Sequence, residues 1–321
     1  MNILNLKNRS NQVAGRFDRR ALAQAECLLF ASVVLCVFGA TTVAIANDDS
    51  KTSDEPTTEK QSNEKAKTEK LAARRLEFIK SSAKEYEFLL GPDFKHKLVM
   101  EPNPLLRFTN PVSGLQDGGF IIWNSELGRP MVGAQIFLTG EDLWIHEFQS
   151  LAPVPFRMSR AGKTVWEPLK PGVKVTAVPN APTPASSAVQ RLVQMRDIAK
   201  RFSASDEFEG RPKSDELRLL TKPLIRYGAE NTEVLDGALF VHAHGTDPEL
   251  MIVVEAMKSA NDWRWNYSLA PMTGYALKAS LDDKPIWEVS WRKGPYNPKE
   301  PFFLLVHSRE LSVKSLLQLG K

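Results

Sequence analysis

The sequence LRLLTKPLIRY, residues 217–227, has an earlier counterpart in LVMEPNPLLRF, residues 98–108. Three pairs of similar residues lie 119 positions apart: Pro104 and Pro223, Arg107 and Arg226, and Phe108 and Tyr227. Two further pairs of segments follow in the same order: DGGFIIW (117–123) with DGALFVH (236–242), and KTVWE (163–167) with KPIWE (284–288). Because the matches keep their order along the chain, they indicate that one folding unit occurs twice.

Each unit begins with a stretch of helical periodicity, at residues 71–90 and 183–204. Apolar residues recur there every three or four positions, which places them on one face of a helix. The two stripes are 116 residues apart: Ala72, Leu76, Ile79, Ala83 and Tyr86 in the first, and Ala188, Leu192, Met195, Ala199 and Phe202 in the second. We therefore predict one amphipathic helix at the start of each unit.

The rest of each unit favours short strands, because alternating or β-branched runs lie between Gly, Pro, Asp and Asn residues. Short connections make neighbouring strands antiparallel, and a one-sided sheet needs a cover on its apolar face. The predicted fold is α+β with an internal duplication, each unit packing one amphipathic helix on an antiparallel sheet of about five to six strands. The predicted segments are a first α+β unit at 71–168, a Pro-rich connection at 169–184, a second α+β unit at 185–291, and a C-terminal strand and short helix at 292–321.

The first 46 residues have the features of a targeting segment. Five basic residues precede the apolar run 27–46, which ends in Ala44-Ile45-Ala46, as in a secretory signal peptide. The same run is long enough to span a bilayer, so residues 1–46 are interpreted as a signal peptide or an N-terminal membrane anchor. The domain is then secreted or periplasmic, or it is anchored by residues 27–46 outside the cytoplasm. The polar segment 47–70 is predicted to be a disordered linker.

Cysteine and charge content argue against several functions. Cys27 and Cys36 both lie in the targeting segment, so no disulfide, thiol nucleophile or thiolate metal ligand is expected in the mature domain. The formal charge of +4 falls to about +1 without the five basic and two acidic residues of the first 46. A nearly neutral chain without a basic block is not typical of nucleic-acid binding, and membrane contact is expected only through the N-terminal segment. No cofactor-binding motif is found, so no cofactor is predicted.

The segment VHAHGTDPEL, residues 241–250, contains a histidine pair. Positions i and i+2 of a strand face the same side, so His242 and His244 could bind one metal ion. A zinc site needs three or four ligands, and His146 is a further candidate without a diagnostic spacing. Because GTDPE is typical of a turn and the first unit lacks the pair, the favoured prediction is a hairpin without a metal.

Four other residues are candidates for ligand binding. Arg107 and Arg226 each precede the aspartate of a matched Asp-Gly by ten residues, which favours a structural ion pair across a hairpin. The alternative role for these arginines is direct contact with a ligand. Trp263 and Trp265 lie on one face of a predicted strand, where aromatic residues pack in a core or bind carbohydrate or peptide.

The segments RLVQMRDIAKRFSA, RLLTKPLIRY and VLDGALFVHAHGTDPEL resemble a family of uncharacterised secreted proteins of planctomycete-type bacteria. The resemblance covers about residues 70 to 291. It implies an exported protein, and it implies no activity, ligand or catalytic residue. The family's segment before G-T-D-P-E is mainly apolar, so this sequence departs from the family at His242 and His244.

Two functions follow from these observations as alternatives. The favoured one is an exported, non-catalytic protein that binds an unknown ligand or protein partner, because catalytic motifs are missing and the strands contain many aromatic residues. The other is a metal-assisted hydrolase with its site in the second unit, around His242, His244 and a third donor.

Overall fold

The computed structural model describes residues 57–111, 113–140, 143–207, 214–229, 232–260 and 262–307. Strands account for 52% of the structure and helices for 15%. The prediction of an α+β fold with one helix on each sheet is therefore wrong: the protein is mostly β, with several antiparallel sheets and a half-barrel. The physical reason is that each described helix buries only a few side chains, whereas the long strands are buried along most of their length.

The described residues from 67 onward form one compact unit. Helix α1 (Thr57–Lys84) begins inside the segment predicted to be a disordered linker, so the described part of that segment is helical. The predicted targeting segment, residues 1–46, lies outside the described residues. Among the helices that the structure describes, none is both long enough and apolar enough to cross a membrane.

Helix α2 (Ala188–Lys200) is preceded by its N-cap residue, Ser187, whose Oγ accepts a hydrogen bond from the Gln190 amide at 3.2 Å. Burial follows the same order along both predicted stripes: Ala72 and Ala188 are exposed, Leu76 and Leu192 are half-buried, and Ile79, Ala83, Met195 and Ala199 are buried. Helix α1 ends at Lys84, and Tyr86, the last residue of the first predicted stripe, lies in a strand instead. The predicted helix therefore extends too far, because pairing with a distant strand determines the conformation there.

The strands of the first half are β1 (Tyr86–Leu90), β2 (His96–Lys97), β3 (Val99–Met100), β4 (Leu106–Asn110), β5 (Leu115–Asn124), β6 (Pro130–Leu138), β7 (Trp144–Ser150), β8 (Phe156–Arg160) and β9 (Lys163–Trp166). Those of the second half are β10 (Thr176–Ala177), β11 (Phe202–Glu207), β12 (Asp215–Tyr227), β13 (Val234–His244), β14 (Asp247–Ser259), β15 (Asp262–Pro271), β16 (Ala276–Leu281) and β17 (Lys284–Val289). Strand β18 (Phe302–His307) lies in the predicted C-terminal segment, and the short helix predicted after it falls outside the described residues.

The described strands form three antiparallel sheets: β2-β1-β8-β9, β18-β7-β6-β5-β3 with β4 also on β5, and β10-β15-β14-β13-β12-β11-β16-β17. The pairing order of the first half recurs in the second. Strand β1 pairs with β8 and β8 with β9, as β11 pairs with β16 and β16 with β17. Strands β5, β6 and β7 are consecutive neighbours, as are β13, β14 and β15. The C-terminal strand β18 extends the first-half sheet at β7.

The two larger sheets meet through an apolar layer to which both halves contribute. Its members include Phe108, Leu115, Phe120 and Ile122 from the first half and Tyr227, Leu239, Val241, Met251 and Val253 from the second. In each half an aromatic ring lies across a glycine of the adjoining strand. A Cβ on Gly118 would lie 2.6 Å from the Phe108 ring, and one on Gly237 would lie 2.7 Å from the Tyr227 ring. The glycines of the matched Asp-Gly pairs therefore make room for this layer.

Candidate functional site

The structure contains both ion pairs that the spacing of Arg107 and Arg226 predicts. Arg107 Nη2 lies 2.5 Å from Asp117 Oδ1, and Arg226 Nη2 lies 2.6 Å from Asp236 Oδ2. Asp236 is buried and also accepts a hydrogen bond from Arg191 Nε of α2 at 2.8 Å. Both candidate arginines are thus engaged by carboxylates of the neighbouring strand, which supports a structural role.

His242 and His244 contact different groups. His242 Nε2 lies 3.2 Å from the Phe202 carbonyl oxygen, and burial lowers the pKa of its imidazole to about 4. His244 Nδ1 lies 3.3 Å from Asp206 Oδ2 on β11. A bulge follows His242 in the pairing of β13 with β14, and bulges re-aim side chains. Each ring of the pair therefore has a polar neighbour of its own.

The remaining candidates lie in packed regions. His146 is buried in the first half, with Nδ1 2.6 Å from the Tyr86 hydroxyl oxygen. Trp265 is buried in the core beside α2, and Trp263 is half-buried on the same strand. Trp265 therefore contributes to packing, whereas Trp263 remains partly accessible.

A group of buried acidic side chains lies where the first-half sheet meets one end of β13 and β14. It consists of Glu147 of β7, Asp206 of β11, and Asp247 and Glu249 of β14, which are between 0% and 7% exposed. Asn110 Nδ2 donates to Asp247 Oδ2 at 3.1 Å, so β4 helps to hold the turn before β14. Both carboxyl oxygens of Glu249 are buried without a hydrogen-bond partner in the described part of the chain. These four side chains constitute the acidic cluster.

Burial and mutual repulsion raise the pKa values of the acidic cluster. Burial, with a contribution from Asp247, raises the pKa of Glu147 from 4.5 to about 8, although Arg292 opposes this shift. Burial likewise raises the pKa of Asp247 from 3.8 to about 7. The pKa of Glu249 lies well above its usual value because of burial and, next, the charges of Asp247 and Asp206. At neutral pH the cluster must therefore retain protons or be compensated by a cation.

One member of the acidic cluster, Asp206, also belongs to a group of potential metal ligands. The ligand atoms of Asp206, Asp215 and His244 all lie within 4.8 Å of one another. Asp206 and Asp215 stand opposite each other on β11 and β12, so their side chains share one face. Two carboxylates and one imidazole are donors that suit a divalent cation.

A cavity of about 660 Å³ lies at the other end of β13 and β14. Its apolar lining consists of Leu90, Leu98, Leu127, Met131, Val234 and Met257. Polar and charged residues complete the wall: His96, Lys97, Ser125, Glu126, Arg129, Tyr227, Thr232 and Glu233. Its size lies within the range of roughly 300–1,000 Å³ found for small-molecule sites.

A buried hydrogen-bond chain forms part of the cavity wall. Arg129 Nε and Nη2 donate to the two carboxylate oxygens of Glu255 at 2.7 and 2.9 Å, and the Tyr227 hydroxyl donates to Glu255 Oε1 at 2.8 Å. Glu255 is 1% exposed. The chain joins the turn before β6 to β12 and β14, so it fixes first-half and second-half residues at the cavity.

Sequence reasoning identified neither the cavity nor the acidic cluster. Glu255 stands out in the sequence as a carboxylate within the apolar run MIVVEAM. It is a residue that sequence reasoning could have linked to the cavity, because it binds Arg129 of the cavity wall. Glu249 shows a similar pattern, because it lies two residues before the same run.

Comparisons with protein-family models, curated proteins and solved structures find no match to this chain. The resemblance to secreted proteins of planctomycete-type bacteria thus stays a prediction. The functional argument depends on the geometry of the cavity and the acidic cluster.

Proposed function

We propose that this protein is an exported, non-catalytic binding protein and that it holds a small, mainly apolar ligand in the 660 Å³ cavity. The observation that carries the proposal is the cavity, whose largely apolar lining is drawn from both halves of the chain. Such a concave site, with a few polar groups to orient the ligand, is the usual form of a small-molecule site.

The apolar wall accounts for affinity. Met131 comes from β6 of the first half, whereas Val234 and Met257 come from β13 and β14 of the second half. Each 100 Å² of apolar ligand surface removed from water contributes about 2.5 kcal/mol before the entropic cost of binding. A ligand that contacts both halves can therefore reach useful affinity without a charged anchor.

Arg129 is the residue that would orient a ligand bound in the cavity. Its side chain is 15% exposed while its guanidinium is held by Glu255. Because the carboxylate already compensates its charge, the guanidinium can donate to a ligand oxygen without becoming an isolated buried cation. We therefore expect the preferred ligand to have an apolar body and a hydrogen-bond acceptor at one end.

Export and internal similarity belong to the same proposal. The basic and apolar segments at 1–46 support export. The ordered sequence matches and the recurring strand order support a duplicated strand unit. At the offset of 119, Glu147 aligns with Asn266, Asp247 with Gly128 and Glu249 with Pro130, so three of the four residues of the acidic cluster have no acidic counterpart. A repeated scaffold with unrepeated polar residues is consistent with a site specialised after duplication.

A fluorescence titration with 1-anilinonaphthalene-8-sulfonate tests the binding site. This probe has an apolar body and an anionic oxygen group, so we expect saturable binding of one molecule per chain. Met257→Trp places a larger side chain in the cavity and is expected to weaken binding at least about tenfold, because it removes space for the probe.

The matched control is Val193→Trp, which adds the same side chain at a site on α2 that is 51% exposed. We expect this variant to bind the probe as the unmodified protein does. Equal binding by the Met257→Trp variant, or no saturable binding to the unmodified protein, would contradict the proposed site.

A further inference from the structure

The ends of β11, β12 and β13 bring together three potential ligands of a metal ion. Asp206 and Asp215 are directly opposite in the β11–β12 pairing. His244 is the last residue of β13, and its Nδ1 lies 3.3 Å from Asp206 Oδ2. All three ligand atoms lie within 4.8 Å of one another, which is close enough for one ion to contact each of them.

A second observation comes from the carboxylate behind these ligands. Glu249 is 1% exposed, and neither of its oxygens has a hydrogen-bond partner of normal geometry within the described chain, although the nearby Thr273 side chain lowers its pKa slightly against the effect of burial. Its charge interacts most strongly with those of Asp247 and Asp206, so it lies close to one of the three ligands. Asp206 is fully buried, and its Oδ1 also lacks a hydrogen-bond partner there. Buried carboxylate oxygens without donors indicate a missing positive partner.

Among the described residues, Arg292 is an arginine whose charge opposes that of the acidic cluster. Its charge lowers the pKa of Glu147 of β7. Its guanidinium carbon lies 4.1 Å from the centroid of the Phe302 ring. It also donates to the Thr273 carbonyl oxygen. These contacts hold the arginine beside Phe302 and Thr273.

We propose that Asp206, Asp215 and His244 bind one divalent transition-metal ion, with Asp247 and Glu249 adding negative charge from the adjoining strand. Carboxylate oxygens suit Mn²⁺, and one imidazole nitrogen also admits Zn²⁺, so these two ions are the appropriate probes. The ion would join the ends of three strands and compensate the cluster's charge. This inference does not rest on the proposed ligand cavity, which lies at the other end of β13 and β14.

Metal analysis of the full chain tests the site. The protein is treated with EDTA, dialysed against Mn²⁺ or Zn²⁺, and examined by elemental analysis and thermal unfolding. We expect about one ion per chain and a rise in Tm of roughly 5–10 °C at about one hundred times the Kd. Asp215→Asn and His244→Gln are each expected to weaken binding at least about tenfold, because each removes one ligand.

Two variants serve as matched controls. Asp262→Asn and Asp283→Asn change exposed residues outside the three ligands, and we expect them to bind the metal ion as the unmodified protein does. Unfolding of every variant in EDTA checks that the half-buried Asp215 and His244 substitutions still fold. Failure to bind about one Mn²⁺ or Zn²⁺ per chain, or equal binding by folded Asp215→Asn and His244→Gln variants, would overturn the proposal. Either result leaves the cavity proposal unaffected.

Discussion

Replacing Glu147 by glutamine changes how the stability of the protein depends on pH. In the folded protein the pKa of Glu147 is about 8, raised from 4.5 by burial and by Asp247. Asp247 and Glu249 face it from β14, Arg292 opposes them, and Tyr275 and Tyr296 also interact with its charge. Glutamine has nearly the same shape and carries no charge, so Glu147→Gln removes this titration from the folded and the unfolded protein.

The direction follows from proton binding. Between pH 4.5 and 8 the folded protein retains a proton on Glu147 that the unfolded chain releases, so the free energy of unfolding falls as pH rises. One proton changes this free energy by about 1.4 kcal/mol per pH unit. From pH 4.5 to 7 the unmodified protein therefore loses about 3 kcal/mol that the variant does not lose. Below pH 4.5 Glu147 is protonated in both the folded and the unfolded protein, so it does not lower the free energy of unfolding. Above pH 8 it is ionised in both states, and the decrease in the free energy of unfolding is complete.

Urea denaturation followed by tryptophan fluorescence measures this effect at pH 5, 6, 7 and 8. EDTA is present throughout, so that no metal ion competes with protons. The stability difference between Glu147→Gln and the unmodified protein should change by roughly 1.4 kcal/mol for each pH unit between 5 and 7. Glu77→Gln, on the exposed face of α1, is the control and should follow the unmodified protein. A difference that stays constant from pH 5 to 8 would refute the reasoning.

Three further outcomes are expected. Asp236→Ala should reduce the free energy of unfolding by about 3–5 kcal/mol because two arginines lose a buried partner, whereas Asp117→Ala should cost less. Equal losses in urea denaturation would contradict this. Gly237→Ala should cost about 1–3 kcal/mol because its Cβ would lie 2.7 Å from the Tyr227 ring, and unchanged thermal unfolding would argue against that contact. The intact mass of the exported protein should correspond to a chain that starts at Asn47, whereas retention of the whole N-terminal segment would indicate an anchor.

The sequence contains enough local information for the hairpin contacts but not for the fold class. Arg107 and Asp117 are ten residues apart on strands joined by a short turn, so their spacing alone predicts the pair. Residues 86–90 fit the end of a helical stripe, yet they form β1 because β8, about seventy residues later, pairs with them. Helical periodicity measures which residues are apolar, and it does not reveal how much of the core the strands supply.

The candidate sites depend even more on distant contacts. Glu147 and Asp206 join the acidic cluster from different sheets, and no spacing in the sequence relates them. The two-residue spacing of His242 and His244 predicts a shared face, but the bulge after His242 and the positions of Phe202 and Asp206 give each ring a separate partner. Such sites become visible only when strand curvature and sheet packing are known.

Native mass spectrometry of the protein exported by its own host tests the binding function most directly. We predict one small molecule per chain in the unmodified protein, its loss in Met257→Trp, and its retention in Val193→Trp. Release of the ligand in organic solvent then gives its mass and shows whether it combines an apolar body with an acceptor. Identical spectra of the bare chain for the unmodified protein and both variants would contradict the account.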